Sequence, residues 1–138
     1  MSLETKNIVV IDGKSALLGR LASYVAKQSL LGKKIAIVNC EEVVISGKSK
    51  SIILEYREVR QRGGASMKGP FFPKSPERIV KRTIRGMLSY KQGRGRSAFK
   101  KIKCYNKVPK ELENEKMIVS GKPKRIKTIR LGDLSRKR

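Results

Sequence analysis

The chain has no histidine and no tryptophan, only two cysteines, and 11 acidic residues against 34 lysines and arginines. Each shortage excludes something. Without histidine, neither a Ser-His nor a Cys-His nucleophile relay can be assembled. Cys40 and Cys104 cannot by themselves fill a four-ligand zinc site, and in a reducing cytosol two thiols are expected to stay unpaired. Both read as small core or strand residues, so no metal and no cofactor are expected. No stretch approaches the ~20 apolar residues of a membrane span. Met1 to Lys6 is polar and no apolar region of leader length follows it, so no secretory leader is expected and the cytoplasm is the expected compartment. A helix lying on a membrane surface usually anchors through large aromatics, and here tryptophan is absent.

What is present in excess is positive charge, a formal +23 over 138 residues. A charge of that size opposes compaction unless an anionic partner neutralises it. The anion is a nucleic acid, an acidic membrane surface or an acidic protein. Hydrophobic residues make up 38%, enough for the core of one domain. The charge is uneven. Residues 1–56 carry 8 basic and 5 acidic side chains; residues 57–138 carry 26 and 6, with no acid between Glu77 and Glu111. Residues 1–138 are therefore expected to form one domain, with a scaffold-rich half at 1–56 and a basic contact half at 57–138.

Hydrophobic periodicity divides the chain into strands and helices. Ile8-Val9-Val10-Ile11 predicts a buried strand closed by an Asp12-Gly13 turn. A helix follows, with Ser15 as its expected cap. Leu17, Leu18, Leu21, Ala22, Val25 and Ala26 lie on its apolar face, Arg20, Ser23 and Lys27 on the other, and Gly32 ends it. Residues 35–38 and 43–45 predict two more strands. A second helix is expected over about 51–62, with Ile52, Tyr56 and Val59 on one face, then a Gly- and Pro-containing loop at 63–74. Ser75-Pro76-Glu77 opens a third helix that runs to about Leu88. Residues 92–96 read as a Gly-Arg connector, followed by a short helix at 97–101 and a strand at 102–105. The tail from Glu111 shows little pattern. Strands alternating with helices predict an α/β layer structure with a mostly parallel, four-stranded sheet and basic loop extensions.

The third helix is the most informative element. On a helical wheel Ile79, Val80, Thr83, Ile84, Met87 and Leu88 fill one half, and Arg78, Lys81, Arg82 and Arg85 fill the other with no acid among them. Arg78–Arg82, Lys81–Arg85 and Arg82–Arg85 are like-charge neighbours, each costing a few tenths of a kcal/mol in the free protein. A helix facing only water mixes its signs, so this half is expected to face phosphates. In Gly93-Arg94-Gly95-Arg96, glycine admits a close backbone approach and arginine grips phosphate bidentately. Lys68 to Lys74 interleaves Phe71 and Phe72 with lysines; these rings either stack on unpaired bases or pack the loop onto the core. The expected RNA contacts are Arg60, Arg62, Lys68, Lys74, Arg78, Lys81, Arg82, Arg85, Lys91, Arg94, Arg96, Lys100, Lys101 and Lys103.

Catalytic alternatives fail on spacing. The strand, the Asp12-Gly13 turn and the helix have the layout of a dinucleotide-binding turn, but the Gly-x-Gly-x-x-Gly fingerprint is absent. Gly13-Lys14, Gly47-Lys48 and Gly121-Lys122 would each need a glycine five residues earlier to form a phosphate loop; those positions hold Ile8, Glu42 and Lys116. Glu41 and Glu42 are adjacent near a strand and are expected to point apart. No active site and no small-molecule substrate are expected.

Leu17-Leu18-Gly19-Arg20-Leu21-Ala22-Ser23, Gly32 to Glu41 and Ile45-Ser46-Gly47-Lys48 resemble the family of universal large-subunit ribosomal protein thirteen. So do Gly69-Pro70, Pro73-Lys74, Arg82-Thr83-Ile84-Arg85-Gly86-Met87-Leu88, Arg94-Gly95-Arg96 and Val108-Pro109-Lys110-Glu111-Leu112. The likeness runs from about Ile8 to Leu112 and the short length resembles the archaeal form. It departs at Ser89 and Gly93, where the family often has proline, at Lys68 for a frequent arginine, and at Lys107 for a usual glycine. The resemblance implies a three-layer α/β/α body and a structural role in the large ribosomal subunit. It also implies large-subunit rRNA and neighbouring large-subunit proteins as partners, no membrane, and early entry into assembly. The rival expectation is a free-standing architectural or regulatory nucleic-acid-binding protein, which would not cosediment with large subunits.

Overall fold

The computed structural model describes residues 8–61, 73–113, 117–119 and 127–136. Four strands form a parallel sheet: β1 (Ile8–Asp12), β2 (Lys34–Val38), β4 (Ile102–Cys104) and β5 (Met117–Val119), in the order β4-β2-β1-β5. β1 and β2 pair from Ile8↔Lys34 to Asp12↔Val38. The two central strands are largely buried on both faces, which is why they read as unbroken apolar runs. Ile11, Ile35, Ile37 and Ile102 join the main core, whereas Val10, Ala36 and Val38 join a smaller one with Leu112.

Among the helices that pack apolar stripes into the main core are α1 (Leu18–Leu30), α2 (Ser49–Gln61), α3 (Pro76–Met87) and α4 (Gly93–Lys100). α1 contributes Leu21, Ala22 and Val25, each at most 2% exposed, and burying a side chain of leucine or valine size contributes roughly 1.5–3 kcal/mol. The α/β class and the parallel four-stranded sheet are as expected. Among the described residues the smaller core is closed by the segment 105–112, with its 3-10 turn at Lys110–Leu112, rather than by an α-helix.

Several local expectations are corrected. Ser15 does not cap α1. It takes a left-handed turn at φ 61°, its N–H donates to the Glu42 carbonyl at 3.1 Å, and Leu17 occupies the capping position. Gly32 does end the helix, at φ 96° with its N–H on the Ser29 carbonyl. The strand expected at 43–45 is present as β3 (Val44–Ser46) but lies outside the main sheet. It pairs antiparallel with β6 (Thr128–Arg130) in a separate two-stranded ribbon. The fourth place in the sheet goes to β5, drawn from the tail that carried little pattern. That tail also supplies α5 (Leu131–Arg136), and it buries Ile129, Leu131 and Leu134 in the main core.

The Gly-Arg connector is not a connector. Residues 93–96 form the first turn of α4, and Gly95 is pressed so closely on the Ser89 backbone that a Cβ there would collide with the Ser89 carbonyl. The loop expected at 63–74 falls almost wholly outside the described residues, and Phe71 and Phe72 with it.

Candidate nucleic-acid interface

α3 begins where sequence placed it, with Pro76 in its first turn and Ser75 at the capping position. The Ser75 side chain makes no cap hydrogen bond. The Glu77 N–H donates instead to Asn106 Oδ1 at 3.2 Å, so a residue 29 positions away satisfies one of the orphan amides of the first turn. The apolar half of the helix is buried as expected, through Ile79, Val80, Ile84 and Leu88. Thr83 lies there too, its hydroxyl donating to the Ile79 carbonyl at 2.9 Å. Met87 is the exception: it is 45% exposed, because it sits in the final turn where α3 leaves the core.

The basic half turns outward. Arg78 is exposed, while Lys81, Arg82 and Arg85 are half-buried. Two of these cations rest on aromatic rings. Lys81 Nζ stands 5.2 Å from the centre of the Phe99 ring on α4. The Arg85 guanidinium stands 4.8 Å from the centre of Tyr90, in the turn between α3 and α4. Each such contact contributes about 0.5–1 kcal/mol at an exposed site. The like-charge neighbours along the helix cost a few tenths of a kcal/mol each. For Lys81 and Arg85 the two effects are of similar size.

Lys81 on Phe99 ties the cations of α3 to those of α4. Arg94, Arg96 and Lys100 on α4 and Lys91 in the preceding turn are all exposed. Lys103 is exposed on the edge strand β4, Lys101 beside it is half-buried, and Lys74 is exposed just before α3. Arg60 lies within α2, apart from the α3–α4 group in sequence; Arg62 and Lys68 fall outside the described residues. The two aromatic platforms, Tyr90 and Phe99, were missed in the sequence. The signal for Tyr90 was present: it follows Arg85 by five residues, just past the helix end, within the acid-free stretch.

The other chemistry-bearing groups have structural duties. Asp12 Oδ1 accepts from the Lys14 N–H and from Asn39 Nδ2, both at 3.0 Å, and so braces the turn after β1. Gly13 beside it is closely packed: its N–H donates to the Val38 carbonyl at 2.9 Å, and a Cβ there would meet Val43 at 2.7 Å. The Cys40 thiol is buried and donates to the Ile37 carbonyl at 3.8 Å, and the neighbouring Cys104 side chain together with burial raises its pKa well above the ordinary thiol value. A thiol held protonated in this way is not a nucleophile. Arg130 grips Asp133 at 3.1 and 3.4 Å, and the carboxylate raises the guanidinium pKa. Among the described residues no group of three or more His, Cys, Asp or Glu is placed to hold a metal ion, and no helix is long and apolar enough to cross a membrane.

A parallel-sheet α/β body that turns a cationic helical pair outward places the chain among basic α/β proteins. Within that class the family follows from comparison. The model of the family described as ribosomal protein L13 matches residues 6–111, close to the 8–112 over which the motifs were read. "Large ribosomal subunit protein uL13" of Methanosarcina barkeri is 49% identical over 136 residues, covering 94% of this chain and 96% of that relative. The protein of the same name from Methanocaldococcus jannaschii is 46% identical over 132 residues, covering 94% and 96%. That of Archaeoglobus fulgidus is 40% identical over 136 residues, covering 94% and 86%. The chain belongs to the ribosomal protein L13 family. The family is one of cytoplasmic large-subunit proteins whose role is structural and not enzymatic.

Proposed function

We propose that this chain is a structural constituent of the large ribosomal subunit that binds and organises large-subunit rRNA and enters assembly early. The observation that carries the reading is the division of α3. One half is buried in the main core through Ile79, Val80 and Ile84, and the other presents Arg78, Lys81, Arg82 and Arg85. The helix is thereby fixed rigidly while its cations are held at the surface, which is how phosphates are positioned without reading bases. In this reading residues 1–138 act as one domain. The core draws on both halves, while the contacts come mainly from 57–138: Lys74, the α3 and α4 cations, Lys91, Lys101 and Lys103, with Arg60, Arg62 and Lys68 alongside. Neighbouring large-subunit proteins complete the surroundings.

Two measurements test it. In a sucrose gradient of native lysate the chain should sediment in the large-subunit peak; a chain that stays at the top is a free-standing nucleic-acid binder instead. Alone, it should bind protein-free large-subunit rRNA, as early entry requires. If some ten cations meet phosphates, the log–log dependence of affinity on salt should have a slope of about −5 to −9. A slope shallower than about −2 defeats the electrostatic reading.

A further inference from the structure

The corner between α3 and α4 has one feature that phosphate binding does not use. Tyr90 remains 37% exposed although Arg85 lies over its ring, and Met87 beside it is 45% exposed. An aromatic and an apolar side chain left open in a strongly cationic corner are out of place on a surface meant only for phosphate. The corner is also rigid. The Leu88 N–H donates to the Arg85 carbonyl at 3.1 Å, Tyr90 to Leu88 at 2.9 Å and Gln92 to Ser89 at 2.9 Å. Leu88 is buried beneath the turn, and Gly95 packs its backbone against Ser89. The backbone that carries the ring is thus hydrogen-bonded and packed, and Arg85 lies over the ring, which lowers the ordering cost of binding.

We propose that Tyr90, layered with Arg85, is a stacking platform for an unpaired nucleobase of the rRNA. The inference rests on the rRNA-binding reading above and adds to it the kind of RNA element recognised. In a duplex the bases are stacked on one another and offer a protein no free face. Single-stranded loops and bulges offer bases that stack on aromatic rings and on guanidinium planes. Arg85 keeps its hydrogen-bond donors for the adjoining phosphate while its position is set by the ring. Lys91 and Arg94, exposed on either side of the α4 start, supply the charge that an RNA strand turning out of a helix would meet. An acidic protein segment would use the same cations but has no need of an open ring.

The test uses the full chain, protein-free large-subunit rRNA, and a blunt-ended, fully paired RNA duplex as the control probe. Tyr90→Leu keeps apolar bulk and removes the ring; Tyr90→Phe keeps the ring. Tyr90→Leu should weaken rRNA binding by on the order of tenfold, leave the salt slope unchanged because no charge is lost, and leave duplex affinity unchanged. Tyr90→Phe should bind both RNAs like the parent. Ultraviolet crosslinking of the unaltered protein on rRNA should place a nucleotide adduct on the peptide carrying Tyr90, a readout that stands even if Tyr90→Leu melts early. The platform is refuted if Tyr90→Leu binds rRNA normally, if it loses both RNAs equally, so that Tyr90 merely seats Arg85, or if the adduct is absent. If the unaltered protein does not bind rRNA at all, the broader reading has failed, a result distinct from any of these.

Discussion

Gly95→Ala is the sharpest test of the α3–α4 corner, because helix propensity and packing predict opposite signs. Gly95 lies in the third position of α4, and alanine in a helix is favoured over glycine by about 0.8–1.0 kcal/mol. Gly86, near the end of α3, is the matched control: a Cβ there meets nothing within 4 Å. Gly86→Ala should therefore stabilise the protein by about 0.5–1 kcal/mol. At Gly95 the new methyl collides with backbone atoms of Ser89, which cannot swing aside as a side chain does. Overpacking of this kind costs typically 1–3 kcal/mol and more where the obstacle is backbone, so the collision outweighs the propensity gain. The net expectation is a loss of about 1–2 kcal/mol, a fall in melting temperature of a few degrees for a chain of this size. Thermal melts of the isolated protein, followed by circular dichroism at fixed pH and salt, decide it. If Gly95→Ala melts at or above the parent, the segment is the loose connector that its sequence suggests, and the rigid corner is wrong.

Three further outcomes are expected. Replacing Arg78 and Arg85 together with Gln should leave the free protein within about 1 kcal/mol of the parent, since lost cation–π contact and relieved repulsion offset one another. It should also flatten the salt slope of rRNA binding by about 1–2; early melting with unchanged binding would make the face structural. Leu134→Ala, at a side chain 1% exposed, should cost about 2–5 kcal/mol in a denaturant titration, whereas a tail merely resting on the surface would lose almost nothing. The Cys40 thiol has a folded pKa raised above its ordinary 9.0, so its contribution is fully present below about pH 9 and is lost as pH rises beyond it. The stability difference between the parent and Cys40→Ala should therefore fall as pH rises above that point, by at most about 1.4 kcal/mol per pH unit; parallel pH profiles would show that the fold does not hold this thiol protonated.

The sequence by itself determined the features that rest on local repetition or on composition. Two-sided burial made β1 and β2 unbroken apolar runs, and the 3.6-residue period laid out α1 and the halves of α3. The family motifs and the +23 charge needed no coordinates either. Only tertiary structure decided what depends on partners distant in the chain. Val44–Ser46 reads as a strand of the sheet, yet its partner is β6, more than eighty residues later. Residues 127–136 look unpatterned because β6 and α5 are too short to display a period, and their apolar side chains are recruited by a core already built. Ser15 and Ser75 are both placed as caps by their type. In the fold the Ser15 N–H is taken by the Glu42 carbonyl, and an amide of the first turn of α3 is met by Asn106. Gly93 and Gly95 look alike in sequence, yet only Gly95 has the Ser89 backbone against it. Cation placement followed from the helical period, but the seating of Arg85 on Tyr90 and Lys81 on Phe99 did not. A contact across a turn or between two helices is set by how those elements pack, and packing is a property of the whole chain.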